Sequence, residues 1–149
     1  MRVLYHSENL FRAPEILGTD RFMYVQCASA DLRLGAGIAR DFNREFNVRP
    51  TLHKTYGTPV PMYTTCRSYH VYTMITKKSY WMKPSLHDMH EALKMLRTMC
   101  EQDNVQILAM PRIGCGLDHL RWVDVYDRIL DVFDDMDIDI HVFDLPTKR

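Results

Sequence analysis

Residues 105–118 read VQILAMPRIGCGLD. The run Val105–Met110 is apolar and strand-like, and it stops at Pro111. A loop carrying Gly114 and Gly116 then leads to Asp118. Glycine has no Cβ, so such a loop lets backbone come close to a ligand. The pattern has an earlier partner. Phe22–Ala28 (FMYVQCA) is rich in β-formers and runs through Ser29-Ala30-Asp31-Leu32-Arg33-Leu34 to Gly35-Ala36-Gly37 and a helix beginning Ile38-Ala39. Two strands, each ending in a Gly-x-Gly loop that leads toward a helix, point to an α/β fold.

The flanking segments agree. Arg2–Tyr5 and Tyr69–Ile75 (YHVYTMI) read as strands, and Ile138–Phe143 (IDIHVF) alternates as a half-exposed strand does. Gly37–Phe46 repeats apolar residues at Ile38, Phe42 and Phe46. Pro84–Gln102 opens with Ser85 and Asp88, a capping-box start with a short acid. Its stripe is Leu86, Met89, Leu93, Leu96 and Cys100. Arg121–Asp135 sets Trp122, Val125, Ile129, Val132 and Phe133 on one face. Asn47–Met62, with Pro50, Gly57, Pro59 and Pro61, reads as an irregular connection inside one domain spanning 1–149. In such a fold ligands sit at the carboxyl ends of strands.

Composition narrows the function. A chain of 149 residues supports one domain with one sizeable core. Lys+Arg and Asp+Glu are 19 each, so the global basic charge of a nucleic-acid-binding domain is absent. No apolar run reaches the roughly 18 residues that would span a membrane. The N-terminal Met1-Arg2-Val3-Leu4 start lacks a long apolar segment, so no signal peptide is expected. Cys27, Cys66, Cys100 and Cys115 form no CxxC pair and match no zinc spacing. They read as reduced thiols of a nuclear or cytoplasmic protein.

Four features offer chemistry. Either Gly-x-Gly loop alone is a tight turn as readily as a site; together they are placed to grip a diphosphate from both sides. The first is not a GxGxxG, since Arg40 stands where the last glycine would be, and no P-loop Gly-Lys-Ser/Thr occurs. Lys77 and Lys78 end a strand and face opposite ways, so one can face a cleft. Such a lysine is a nucleophile when neutral. Asp118 serves either as a helix cap or as an acid–base group. His87 and His90 are three apart on a helix and read as a solvated face, and Cys115 lacks a basic partner. The acidic run Asp131, Asp134, Asp135, Asp137 and Asp139 sits where a helix C-terminus disfavours negative charge.

Together these segments resemble the macro domain, most closely its terminal ADP-ribose protein glycohydrolase branch. The carrying residues are Ser29 with Leu34-Gly35-Ala36-Gly37-Ile38-Ala39, then Ile75-Thr76-Lys77-Lys78, Lys83-Pro84, and Met110 to Asp118, followed by Leu120 and Trp122. Order and approximate spacing agree from about Leu4 to Leu145. The resemblance implies a three-layer α/β/α fold with a mixed central sheet. It implies ADP-ribose as ligand, with the diphosphate between Gly35, Ala36, Gly37 and Ile38 on one side and Ile113, Gly114, Cys115, Gly116 and Leu117 on the other, and Arg112 as a further substrate-binding residue. Ser29 matches a ligand-contacting position, and Leu10 and Leu145 match positions that enclose the adenosine part. Lys77 matches the catalytic lysine and Asp118 the catalytic acid. Asn9 stands where many macro domains carry an adenine-binding Asp, and the Asn-Ala-Ala-Asn motif of another hydrolytic branch is absent.

The implied activity is hydrolysis of mono-ADP-ribose ester-linked to Glu or Asp side chains of proteins. O-acetyl-ADP-ribose is a further candidate substrate, and the branch carries an association with the DNA damage response. Lys77 would form a covalent intermediate and Asp118 would accept the proton. No metal and no cofactor are needed, no membrane is involved, and nucleic acid enters only as an ADP-ribosylated end. The expected state is a monomer. The rival readings are a non-catalytic ADP-ribose-binding module and an ADP-ribose 1″-phosphate phosphatase.

Overall fold

A computed structural model describes residues 1–144 of the chain. Its strands are β1 (Arg2–His6), β2 (Met23–Ser29), β3 (Thr65–Ser68), β4 (Val71–Lys77), β5 (Ile107–Met110) and β6 (Asp139–Phe143). They form one sheet in the order β1-β6-β5-β2-β4-β3. All neighbours are parallel except β3, which is antiparallel to β4. The sheet is therefore mixed, as the resemblance implied.

Helices cover both faces. On one lie α1 (Ala13–Leu17), entered through a 3₁₀ turn at Leu10–Arg12, α2 (Gly37–Phe46) and α3 (Val48–Tyr56). On the other lie α4 (Leu86–Asp103) and α5 (Trp122–Phe133). The strands alternate between two cores. Tyr24, Ala28, Val71, Ile75 and Ala109 face α1–α3, while Val25, Tyr72, Met74, Leu108 and Met110 face α4 and α5. Burial on both sides explains why β2, β4 and β5 read as nearly unbroken apolar runs.

Two readings of the sequence need correction. Asn47–Met62 is not wholly irregular, because α3 occupies Val48–Tyr56. Pro50 falls in its first turn, where a missing N–H costs no helical hydrogen bond. Val48 and Leu52, one helical turn apart, bury completely. The strand expected from Tyr69 starts instead at Val71. The chain turns back at Tyr69 and His70, with His70 at φ +66°, and pairs β4 with a strand, β3, that the pattern did not show.

The helix ends behave as their residues dictate. Ser85 and Asp88 form a reciprocal capping box at 2.9 and 3.0 Å. At the acidic end of α5, Arg97 of α4 donates to the Val132 carbonyl at 2.7 Å and pairs with Asp135 at 2.5 Å. That guanidinium supplies the positive charge a helix C-terminus favours. Asp139 pairs with Arg2 at 2.6 Å. Two acids of the run, Asp135 and Asp139, thus have partners on other elements.

Candidate active site

The carboxyl ends of four adjacent strands, β6, β5, β2 and β4, converge on one cavity of about 800 Å³. From β2 the chain goes on to β3 and β4 on one side; from β5 it returns to β6 on the other. The cavity therefore opens at the sheet's topological switch point, where such folds bind ligands.

The first loop is built on two buried leucines. Leu32 and Leu34 take the left-handed conformation at φ +51° and +49° and are 0% and 5% exposed. They pin the loop to the core and leave Gly35, Ala36 and Gly37 exposed at the cavity wall. Gly37 starts α2 at φ +59°, and Ala36, its N-cap, offers no side-chain hydrogen bond. The amide end of a ten-residue helix thus borders the cavity, a setting that attracts anions.

The second loop follows β5. Ile113 is 2% exposed and anchors it in the core. Gly114 sits at φ +74°, and its amide neighbourhood is closed by the Leu120 N–H donating to the Gly114 carbonyl at 2.8 Å. Leu117 reaches across the cavity: a Cβ added to Gly37 would lie 3.2 Å from Leu117 Cδ1. Lys83, in the connection from β4 to α4, donates to the Leu117 carbonyl.

Between the loops stand Lys77 and Asp118, with Nζ and Oδ1 2.6 Å apart. Their side chains are 14% and 13% exposed, so the pair is shielded but reachable from the cavity. Asp118 is not a helix cap, because the N-cap of α5 is Arg121. Lys78, its neighbour in sequence, is exposed and outside the cavity wall. Cys27 and Cys115 also line the cavity, and burial pushes both thiols upward. Thiols held protonated are poor nucleophiles. Among the described residues no cluster of His, Cys, Asp and Glu is arranged to hold a metal.

Of the residues singled out from sequence, Ser29, Gly35, Ala36, Gly37, Ile38, Lys77, Arg112, Ile113, Gly114, Cys115, Gly116, Leu117 and Asp118 all line this cavity. Leu10 does not; it is buried at 5% exposure beneath α1, in the core on that face. Asn9 caps the 3₁₀ turn by accepting from the Phe11 N–H at 2.9 Å. Leu145 lies outside the described residues. The structure adds Arg33, Tyr80, Lys83, Phe143 and Asp144 to the wall. Arg33 stacks on the Tyr80 ring at 4.5 Å, and Arg112 pairs with Asp144 at 3.2 Å. No local pattern announces these contacts, which join segments tens of residues apart.

No family model matches the chain. Relatives with curated names do. It is 36% identical over 145 residues to the ADP-ribose glycohydrolase OARD1 of Bos taurus, and 35% identical over 145 residues to that of Homo sapiens. Each alignment covers 97% of this chain and 92% of the relative. Among solved structures, the macrodomain of Mycobacterium tuberculosis DarG superposes with a TM-score of 0.78 at 22% identity, covering 97% of this chain and 98% of that one. Thermosipho africanus DarTG in complex with ADP-ribose gives 0.75 at 16% identity, covering all of this chain and 43% of that one. The structural likenesses establish the fold, and the sequence likenesses are high enough and long enough to establish kinship. The chain belongs to the macrodomain family, in the hydrolase branch that contains ADP-ribose glycohydrolase OARD1.

Proposed function

We propose that this protein hydrolyses mono-ADP-ribose ester-linked to Glu and Asp side chains, and related esters such as O-acetyl-ADP-ribose. The observation that carries the reading is the Lys77–Asp118 pair, 2.6 Å apart and largely shielded, between two glycine loops at a switch point. Relatives that span nearly the whole chain are named ADP-ribose glycohydrolases. In this reading the diphosphate lies between Gly35–Ile38 and Ile113–Leu117 and the distal ribose toward Lys77, supported by the amide end of α2 and by the lining of the cavity by both loops and the lysine.

Chemistry follows from the pair. Lys77 Nζ attacks C1″ of the distal ribose, and the bond from C1″ to the ester oxygen breaks. The acceptor leaves as a carboxylate. The attacking nitrogen gives a proton to Asp118, which is already within hydrogen-bond reach. Asp118 next returns its proton to the departing Lys77 nitrogen as water adds at C1″ and the C1″–N bond breaks; the carboxylate so freed takes the proton that water loses and passes it to solvent. The balance is ester plus water to ADP-ribose plus carboxylate and a proton. No cofactor enters these steps. Four free cysteines suit a reducing compartment, the nucleus or the cytoplasm.

The test is incubation with a protein mono-ADP-ribosylated on Glu, following free ADP-ribose. Release well above an enzyme-free control is expected. Binding of ADP-ribose without release would make the protein a reader module instead. Phosphate release from ADP-ribose 1″-phosphate, with the Glu ester untouched, would make it a phosphatase.

A further inference from the structure

We infer that Asp31 is a positioning residue for Lys77, acting through the segment that follows the lysine. The inference rests on the reading of Lys77 as the nucleophile. Asp31 joins two stretches of chain far apart in sequence. Its Oδ1 accepts from the Ser29 hydroxyl, at the end of β2, and from the Arg33 N–H at 3.3 Å. Its Oδ2 accepts from the Tyr80 N–H at 3.0 Å. The neighbouring Ala30 N–H donates to the Lys77 carbonyl at 2.8 Å. Residues 77–80 are thus fastened to residues 30–31 at both ends, and both ends, Lys77 and Tyr80, line the cavity.

The sheet alone does not fix this lysine. Ala28 lies opposite Ile75, but Ser29 lies opposite Lys77, so Thr76 is an extra residue in β4. A bulge of this kind re-aims the side chain beside it, and here that side chain is Lys77. Thr76 is itself fully buried, its hydroxyl beside the Cys27 thiol of β2. Beyond the bulge, the backbone is tied to the β2 side by the bonds to Ala30 and Asp31, beside the Lys77–Asp118 pair and the Arg33–Tyr80 stack made by side chains. Burial alone would raise the Asp31 carboxyl, but the bonds from Ser29, Tyr80 and Arg33 outweigh it and hold it below its ordinary value. Asp31 is therefore ionised, with acceptor lone pairs for all three donors.

The test measures kcat on Glu-linked ADP-ribose beside the Kd of free ADP-ribose. Asp31→Ala should lower kcat at least tenfold while Kd stays within threefold. Asp31→Asn keeps an acceptor for the Tyr80 N–H and should recover most of kcat. A second route leaves Asp31 in place. Tyr80 occupies the second position of a turn closed by the Met82 N–H on the Ser79 carbonyl at 3.0 Å, a position that accepts proline. Tyr80→Pro deletes the donor and should lower kcat well below that of Tyr80→Ala, the reference variant that loses the cavity-lining ring but keeps the N–H. A wild-type kcat in Asp31→Ala, or a kcat in Tyr80→Pro no lower than that of Tyr80→Ala, overturns the proposal. So does a parallel loss of kcat and affinity that Asp31→Asn fails to rescue, the mark of a merely structural role. Lys77→Ala, run alongside, separates the two levels. If it is inactive while Asp31→Ala is normal, the positioning role alone fails; if it is fully active, the nucleophile assignment fails and takes this inference with it.

Discussion

Gly37 and Gly114 share a left-handed backbone, at φ +59° and +74°, and each stands in one of the two loops that face each other across the cavity. Their surroundings differ. A Cβ on Gly114 would meet Met89 Cε at 2.7 Å and Leu120 Cδ1 at 3.0 Å, side chains that pack into the core under α4 and α5. A Cβ on Gly37 would meet only Leu117, which is 58% exposed and belongs to the opposite loop. One glycine lets a loop sit down on the core. The other keeps the space between loops open. The same residue type in the same conformation serves stability in one loop and ligand access in the other.

Gly37→Val puts this contrast under the greatest load. A β-branched residue at positive φ is strained, and its methyls would project toward Leu117 and the diphosphate space. The fold should persist at a cost of roughly 1–2 kcal/mol. Titration calorimetry should show no ADP-ribose binding at concentrations that saturate the wild type. Wild-type affinity in this variant would mean that the diphosphate lies elsewhere.

Gly114→Ala should do the reverse. Backbone strain of about 1–2 kcal/mol adds to overpacking of about 1–3 kcal/mol. A chain of this size loses roughly 2–4 °C of melting temperature per kcal/mol. A fall of several degrees is expected, with ADP-ribose still binding well below the new midpoint. An unchanged melting temperature would show that this loop does not rest on the core as described. In the wild type, ADP-ribose at a hundredfold excess over its Kd should stabilise the fold by about 2.7 kcal/mol. That gain should survive in Gly114→Ala and vanish in Gly37→Val.

A smaller effect lies far from both loops. Burial alone would raise Asp103, but the Tyr72 hydroxyl and the Arg67 guanidinium, both at 2.5 Å, hold its carboxyl below the usual range. A lowered folded-state value means that the unfolded chain binds the proton more readily. The stabilisation is therefore complete above the ordinary carboxylate range near 4 and is lost as pH falls through the lower folded value. Asp103→Asn should flatten that part of the acid limb of the denaturation curve and leave ADP-ribose binding at neutral pH unchanged. An acid limb identical to wild type would deny Asp103 its part.

Much of the site is legible in the sequence because it is local. Each glycine loop directly follows its strand, so the order strand, Gly-x-Gly, helix is enough to place both loops at strand ends. The alternation of Lys77 and Lys78 likewise separates a cavity-facing lysine from an exposed one. What stays hidden is non-local or runs against a usual signal. Pro50 reads as a helix breaker and is a first-turn residue of α3. Asp31 bonds to Tyr80, and Arg97 reaches the end of α5, across distances no periodicity spans. The bulge at Thr76 leaves no mark in a strand that reads as continuous. Lys77 and Asp118 are 41 residues apart; only the resemblance pairs them, and the fold brings them to 2.6 Å.

The proposed mechanism gives Lys77 covalent work that Lys78 cannot do. It is tested by the release of free ADP-ribose from Glu-modified protein by wild type, Lys77→Ala and Lys78→Ala, with ADP-ribose affinity measured in parallel. Lys77→Ala should show no turnover with affinity kept within a few-fold, and Lys78→Ala should keep most of the wild-type rate. Full activity in Lys77→Ala, or equal losses in the two variants, would contradict the covalent role.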